Sequence, residues 1–363
     1  MNPFSTFNRI VLGPLAGLFF LLYGLACVLE PIDGDLTRLG AYWENDYGWN
    51  AVQEGFTEPL FDFNAEGRYE HYYDAVVIGD SFSIKNFPYQ WQSFLVASTS
   101  LTLLTLPVDK VDIDQLIASP VYRNSPPRLV IFESVERAVV SRLSDVYRAE
   151  SACAPANDPV IAPFDQREIY VPLTPVERNR AVSPLAPNFS ESAHMIKGTI
   201  KRWYDLNIKM RLGRLPQTVR LPLMRTGLFS SRVQDAILLY RQDFWKTQLT
   251  PKIERRALCG LYSLQNRIQS NDITRFVTLV APDKATAYDT NIRFGELRSH
   301  NHAKFIEDTP DAPVAPLLPA IKRAIENGTE DVYMPNDTHW GEAGNRIAAD
   351  ALVRYLRKSG AIR

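Results

Sequence analysis

Short apolar runs that end at a glycine or a polar residue recur along the chain and predict buried strands. Residues 75–78 read Ala-Val-Val-Ile and are followed by Gly79. Branched apolar residues without a polar alternation are typical of a strand that is covered on both faces. Further runs of this kind lie at residues 100–106, 128–133 and 273–281. The pattern therefore predicts the strands of a parallel sheet.

Segments with helical spacing of apolar residues alternate with these strands. Helices are predicted at residues 89–99, 112–118, 316–327 and 342–358, and the third of them ends at an Asn-Gly pair, which is a common stop signal. Alternating strands and helices favour parallel strands joined by right-handed crossovers. We therefore expect an α/β fold in which helices cover both faces of the sheet.

The N-terminal region carries a long uncharged stretch. Residues 10–29 hold no charged side chain and lie between Arg9 and Glu30. A run of this length can cross a bilayer as a helix. Because the only nearby cation precedes it and acidic residues follow it, the positive-inside rule predicts a cytoplasmic N-terminus. We expect residues 1–30 to be a single-pass anchor in the inner (cytoplasmic) membrane, with a cleavable signal peptide or lipid attachment at Cys27 as alternatives.

The remaining chain divides into two parts with different composition. Residues 31–73 are acidic and aromatic and are predicted to be a juxtamembrane segment, whose aromatic rings either pack on the domain or stack on sugars. Residues 74–363 would form the α/β domain, interrupted at about 144–271 by an insertion of proline-rich loops followed by helices at 192–212 and 234–270. The insertion carries a basic cluster that is either a solvated face or a contact for an acidic polymer or lipid headgroups: Lys197, Lys201, Arg202, Lys209, Arg211 and Arg214.

Charge and cysteine content narrow the possible partners. The formal net charge of −1 gives no electrostatic case for binding nucleic acid, which needs a basic surface. Cys153 and Cys259 are the cysteines beyond the predicted anchor, and they would be able to pair in an oxidising compartment. The sequence leaves their pairing open. His300 and His302 have metal-ligand spacing without a cluster of further ligands, so no metal and no cofactor is predicted.

Two short blocks at opposite ends of the domain carry the candidate chemistry. Ser81 follows the strand 75–78, and a serine hydroxyl at a strand end needs a base to become a nucleophile. A last short strand is predicted at 331–334, followed by a turn that exposes Asp337 and His339. Because residues two apart in an extended segment point the same way, Asp337 can orient His339. We predict Ser81, His339 and Asp337 as one catalytic site.

These blocks resemble a known superfamily. Gly-Asp-Ser at 79–81 and Asp-Thr-His at 337–339 are similar to the SGNH (GDSL-type) hydrolases. The segment Pro-Asp-Lys-Ala-Thr-Ala-Tyr at 282–288, together with Trp340 after the histidine, resembles the SGNH-like proteins of exopolysaccharide O-acetylation, represented by AlgX and AlgJ. Three short blocks carry the likeness. In the alginate proteins the Asp-x-His block precedes the serine block, whereas here the serine comes first.

The resemblance implies additional site residues. Lys284 and Tyr288 would donate hydrogen bonds to a bound acyl group or sugar hydroxyl. Asp80 and Trp340 are also predicted to bind substrate. The strand 128–133 also delivers Arg137 to this edge of the sheet, where it would hold Glu133 or a substrate carboxylate, or form a structural ion pair.

The function expected from the resemblance is acetyl transfer to a polysaccharide through an acetyl-serine intermediate, in the periplasm or outside the cell. The acetyl supplier would be a membrane-bound O-acyltransferase that uses cytosolic acetyl-CoA. One alternative is a carbohydrate acetylesterase, which uses the same three residues with water as the acceptor. The other is a non-catalytic glycan-binding or assembly subunit. The polymer itself is not indicated.

Overall fold

The computed structural model describes residues 7–28, 34–40, 42–85, 87–148, 153–159, 162–164, 167–178, 204, 208, 216–246, 249–293 and 300–362. The predicted helix at 192–212 falls outside these residues except at Tyr204 and Ile208, and so does its basic cluster.

The strands of the described residues form one large sheet and two small ones. Their bounds are β1 (Gln53–Phe56), β2 (Asp62–Phe63), β3 (Ala75–Gly79), β4 (Leu103–Pro107), β5 (Leu129–Val135), β6 (Leu173–Val176), β7 (Thr218–Pro222), β8 (Ala236–Tyr240), β9 (Arg275–Ala281) and β10 (Val314–Ala315). The large sheet has six strands in the order β10-β9-β5-β3-β4-β2, and every neighbouring pair is parallel. β1 pairs with β6 and β7 pairs with β8, both antiparallel. The predicted parallel sheet is confirmed.

The helices fill the connections between these strands. Their bounds are α1 (Gly13–Val28), α2 (Asp35–Gly40), α3 (Glu44–Tyr47), α4 (Ser81–Ile84), α5 (Trp91–Thr99), α6 (Ile113–Ala118), α7 (Pro120–Asn124), α8 (Glu136–Val146), α9 (Pro251–Ile268), α10 (Lys284–Ala287), α11 (Lys304–Glu307), α12 (Leu317–Glu326) and α13 (Glu342–Lys358). Short 3₁₀ turns lie at Arg241–Asp243, Gln269–Asn271 and Asp289–Asn291. The helices predicted at residues 89–99, 112–118, 316–327 and 342–358 correspond to α5, α6, α12 and α13.

Strand β3 shows why the sheet is covered on both sides. Ala75 and Val77 belong to one core with residues of α5, α12 and α13, whereas Val76 and Ile78 belong to a second core with residues of α8 and α9. Successive side chains of a strand point to opposite faces, so an uninterrupted apolar run supplies both cores. Burying each valine or isoleucine side chain of this run contributes about 1.5–3 kcal/mol. The predicted α/β sandwich is thereby confirmed.

The N-terminal region is helical over residues 8–28. A π-helical turn at Asn8–Leu12 precedes α1, which has 16 residues. Within the part of the chain that the structure describes, no helix combines the length and the hydropathy needed to cross a bilayer. The prediction of a transmembrane helix over residues 10–29 therefore finds no support in this fold.

The predicted helical region 234–270 contains a strand as well as a helix. Residues Ala236–Tyr240 form β8 and pair with β7, because a short apolar run is compatible with either structure and the hairpin partner decides. Helix α9 follows, and its Leu261 and Leu264 lie in the core beneath β3 and β5. This helix is thus one of the layers that cover the central sheet.

A disulfide joins this helix to the segment that follows α8. Cys153 and Cys259 are bonded, with their Cα atoms 4.6 Å apart and 106 positions between them in the sequence. That Cα distance is within the range that a disulfide requires. The sequence left the pairing of these two cysteines open, and in the structure they form a disulfide.

Candidate active site

The chain turns sharply where β3 ends and presents Ser81. Ser81 is partly exposed and is the first residue of α4. The Asp80 carboxylate caps this helix by accepting a hydrogen bond from the Phe82 amide at 3.1 Å. Gly79 is required for space, because a Cβ there would lie 2.5 Å from Ser83 Oγ and 3.0 Å from Glu133 Oε2.

Two buried carboxyl groups hold this turn from below. Glu133 Oε2 accepts hydrogen bonds from the Asp80 amide at 2.9 Å and from Ser83 Oγ at 2.8 Å. Asp80 Oδ2 accepts one from the Val135 amide at 2.8 Å and another from Arg142. Burial, followed by the negative charge of Asp80, raises the pKa of Glu133 well above its ordinary value. Asp80 was predicted to bind substrate, whereas its carboxylate is buried and joins β3 to β5.

The histidine lies on a tight loop before α13. Tyr333 and Trp340 form a single antiparallel bridge, and the Met334 amide donates to the His339 carbonyl at 3.0 Å. The strand predicted at 331–334 is reduced to this bridge because the chain turns back within a few residues. Trp340 is buried, and its ring contacts that of Phe82 at 4.6 Å between centroids. Trp340 therefore packs the loop against α4.

The three predicted catalytic residues meet at this edge of the sheet. His339 Nε2 lies 2.9 Å from Ser81 Oγ, and His339 Nδ1 lies 2.6 Å from Asp337 Oδ1. Asp337 Oδ1 also accepts a hydrogen bond from the His339 amide at 3.1 Å. Burial alone would raise the pKa of Asp337, but the adjacent His339 and Lys85 lower it far below its ordinary value. The carboxylate therefore stays ionised and can orient the imidazole.

This arrangement is capable of nucleophilic acyl transfer. An imidazole within hydrogen-bond distance of a serine hydroxyl can take its proton, and an ionised carboxylate stabilises the resulting imidazolium. The Ser81 amide, at the N-terminus of α4, is one donor that can face a developing oxyanion. No second donor was predicted from the sequence.

Sequence reasoning missed two residues that complete the surroundings of Asp337. Asp337 Oδ2 accepts hydrogen bonds from the Asp35 amide and from Lys85 Nζ, each at 3.3 Å. Lys85 Nζ also contacts Asp35 Oδ2 at 2.9 Å. Lys85 directly follows α4, but its position in the sequence does not point to Asp337. No local pattern relates Asp35 to Asp337.

The segment before β1 forms hydrogen bonds with the histidine loop on the side opposite Lys284. The Leu36 amide donates to the Asn336 carbonyl at 2.9 Å. The buried Glu44 carboxylate accepts from the Gly34 amide and from Asn336 Nδ2, both at 2.9 Å. We call residues 34–40 and 42–47 the strap. The strap belongs to the segment predicted as juxtamembrane, and in the fold it supports the site directly.

One cluster has the composition of a metal site. Ligand atoms of Asp35, Asp337 and His339 lie within 4.8 Å of one another. The ammonium of Lys85 already bridges the two carboxylates. The positive charge of Lys85 therefore already compensates the negative charge of Asp35 and Asp337.

Lys284 and Tyr288, predicted as substrate-binding residues, lie behind the histidine loop. Both are buried. Lys284 Nζ donates to the carbonyls of Met334, Pro335 and Asp337 at 2.7, 3.1 and 3.1 Å. Tyr288 packs against Phe229 with 5.1 Å between ring centroids, and its hydroxyl accepts from the Tyr333 amide at 3.4 Å. The polar atoms of both side chains therefore form hydrogen bonds with the backbone of the histidine loop. Both side chains are enclosed by the folded chain.

Arg137 forms the structural ion pair that the sequence left as one of its options. Its guanidinium lies 2.6 Å from Asp283 and 3.5 Å from Asp243. Lys246 joins the same buried cluster through Asp283, at 2.9 Å, and through Glu136. Burial, followed by the charge of Asp283, raises the pKa of Asp243 well above its ordinary value. The cluster fixes the segment after β8 to the sheet edge.

A small cavity opens on the Asp337 side of the site. Its volume is about 220 Å³, and it is lined by Trp49, Phe87, Pro88, Tyr89, Val176, Glu177, Arg178, Met334, Asn336 and Asp337. Trp49 comes from the predicted juxtamembrane segment. Aromatic rings and polar groups therefore lie together next to the triad.

Comparisons with family models, with curated proteins and with solved structures found no match to this chain.

Proposed function

We propose that this chain is an SGNH-like O-acetyltransferase that modifies a polysaccharide through an acetyl-serine intermediate. The observation that carries the proposal is the hydrogen-bonded series Ser81–His339–Asp337, with distances of 2.9 and 2.6 Å. A serine, an imidazole and an ionised carboxylate in this order are the parts of a covalent acyl-transfer site. The sequence resemblance at residues 79–81, 282–288 and 337–340 supplies the acetyl group and the polysaccharide as expectations.

The reaction proceeds in two steps. In the first, His339 takes the proton of Ser81 while Oγ attacks the acetyl carbonyl, and the donor leaves with that proton as its bond to the carbonyl carbon breaks. In the second, a sugar hydroxyl gives its proton to His339 and attacks the acetyl-serine carbonyl. The new ester forms as the bond between Ser81 Oγ and the carbonyl carbon breaks, and His339 returns the proton to Oγ. The Ser81 amide would face the oxyanion in both steps.

The location and the partners belong to the same proposal. The disulfide between Cys153 and Cys259 supports an oxidising compartment such as the periplasm or the cell exterior. Attachment to the inner membrane through residues 1–30, with a membrane-bound O-acyltransferase as acetyl supplier, is the expectation that the sequence and the resemblance raised. The aromatic walls of the cavity next to Asp337 are suited to the faces of sugar rings.

An acetylesterase differs only in the second nucleophile. The partly exposed position of Ser81 favours this alternative, because water can reach an acetyl-serine there. The full chain, purified in detergent, should be incubated with a chromogenic acetyl ester, with and without a mixture of oligosaccharides. Transfer predicts acetylated sugar, whereas an esterase releases acetate at a rate that the sugar does not change.

The control is Ser81→Ala. Intact mass spectrometry of the native chain should show one added acetyl group, and this variant should show none. If neither protein forms an adduct and neither turns over the ester, the proposed function is wrong and a non-catalytic role is favoured.

A further inference from the structure

Lys284 stands out because its charge is buried without a direct ion pair among the described residues. Its side chain is essentially inaccessible, and burial lowers the pKa of Lys284 to about 7 although the carboxylates of Asp337, Asp331 and Asp243 favour the charged form from longer range. The Phe229 ring lies 5.0 Å from its ammonium. An unpaired buried charge is costly, and an apolar side chain of similar length would fill the same space at lower cost. The ammonium must therefore do something that an apolar group does not.

The three N–H donors of the ammonium are matched to three carbonyl acceptors. They are the carbonyls of Met334, Pro335 and Asp337, at 2.7, 3.1 and 3.1 Å. The remaining carbonyl of this stretch, that of Asn336, accepts from the Leu36 amide on the strap. The Met334 carbonyl also accepts from the Asp337 amide at 3.2 Å, so among the described hydrogen bonds the Pro335 and Asp337 carbonyls depend most on the ammonium. Leaving a buried carbonyl without a donor costs about 1–3 kcal/mol.

We propose that Lys284 is a positioning residue that holds the loop of Asp337 and His339 in register with Ser81. The inference rests on the proposed function and assigns Lys284 to the placement of the base rather than to contact with substrate. Lys284 acts from the inner side of the loop and the strap acts from the outer side. Together they fix residues 334–337, and His339 follows two positions after the last carbonyl that Lys284 holds.

The test compares Lys284→Met with Lys246→Met. Lys246 is also a buried lysine, but it lies in the ion-pair cluster with Glu136 and Asp283. Both variants lose a buried ammonium, so Lys246→Met controls for the general loss of stability. Two quantities are measured at neutral pH: the kinetics of acetyl-ester turnover, and the proton NMR signal of the hydrogen on His339 Nδ1 that is bound to Asp337.

We expect Lys284→Met to lower kcat on the order of 10²-fold with KM changed less than about twofold, because a small displacement of a catalytic group has an effect of this size. The Nδ1 proton signal should shift or broaden. Lys246→Met should unfold at a lower temperature while keeping both the kcat and the signal of the native chain. A folded Lys284→Met with native kcat and an unchanged signal would overturn the inference.

A second variant covers the case in which Lys284→Met does not fold. Lys284→Gln keeps two N–H donors, and we expect a loss of kcat between those of the native chain and the methionine variant. Failure of both variants to fold while Lys246→Met folds would contradict a positioning role, since Lys284 would then serve global stability. If the native chain turns over no ester, the proposed function fails, while the His339 signal still decides the role of Lys284.

Discussion

Ser81 Oγ and His339 Nε2 lie 2.9 Å apart although 258 positions separate the two residues in the sequence. The contact exists because β3 ends at the same edge of the sheet to which α12 and the loop before α13 return the chain. Each residue is fixed by its own support: Ser81 by the turn over Asp80 and Glu133, and His339 by Asp337, Lys284 and the strap. The predictions below address these supports separately.

Asp337→Asn should abolish most of the activity while leaving the fold intact. An amide NH₂ facing His339 Nδ1 would favour the wrong tautomer of the imidazole, and an amide oxygen would lack the negative charge. In a serine triad this substitution lowers kcat by about 10⁴-fold. Turnover of an acetyl ester checks this, with circular dichroism as the test of folding. A variant with native kcat would show that the Asp337–His339 contact of 2.6 Å has no catalytic role.

Glu44→Gln tests the strap. One of its oxygens accepts from Asn336 Nδ2 and the other from the Gly34 amide, and an amide cannot accept at both positions. We expect the free energy of unfolding to fall by about 1–3 kcal/mol and kcat to decrease as the loop loosens. Glu54→Gln is the matched control, because Glu54 is exposed and pairs with Arg346 at the surface. Equal kinetics for the two variants would count against the strap.

Gly79→Ala should destabilise the serine turn by steric overlap. The new methyl group would lie 2.5 Å from Ser83 Oγ. The Ser83 hydroxyl is itself hydrogen-bonded to Glu133. Overpacking of this kind costs about 1–3 kcal/mol. Thermal unfolding provides the measurement. Gly17→Ala is the control, since a Cβ at Gly17 meets nothing within 4 Å, and a similar melting temperature for the two variants would refute the steric argument.

Removal of the disulfide should lower stability without changing the chemistry. Cys153 and Cys259 are separated by 106 positions, and a crosslink over a loop of this length contributes about 2–5 kcal/mol. The double variant Cys153→Ser/Cys259→Ser should unfold at lower denaturant concentration than the native chain. Reductant should lower the stability of the native chain and leave the double variant unchanged. If both respond alike, the bond does not contribute.

The pH dependence of stability should carry the signature of Glu136. Burial, followed by the charge of Asp283, raises the pKa of Glu136 from 4.5 to about 7. Between these two values the folded state keeps a proton that the unfolded state has lost, so the free energy of unfolding decreases as the pH rises from about 4.5 to about 7. Glu136→Gln should reduce this slope in chemical denaturation at several pH values. An unchanged slope would show that Glu136 is ionised in the fold.

The sequence alone predicted much of the fold and the composition of the site. Apolar runs without alternation predicted β3, β4, β5 and β9, because strands buried on both faces need no polar positions. Ser81, Asp337 and His339 were recognisable because a hydroxyl at a strand end and an Asp-x-His block are local patterns. The helix predicted over Ala236–Tyr240 is a strand, because a short apolar run is compatible with either element. The predicted membrane span finds no support among the described residues.

The sequence determined which side chains have the chemistry of acyl transfer, and the tertiary structure decided which of them meet. The roles of Lys284, Glu44 and Lys85 depend on carbonyls and carboxylates that lie far away along the chain or behind the loop, and no local pattern encodes such distances. Lys284 therefore reads as a substrate ligand in sequence and lies among the loop carbonyls in the fold. The physical reason is that burial and hydrogen-bond partners are properties of the packed chain.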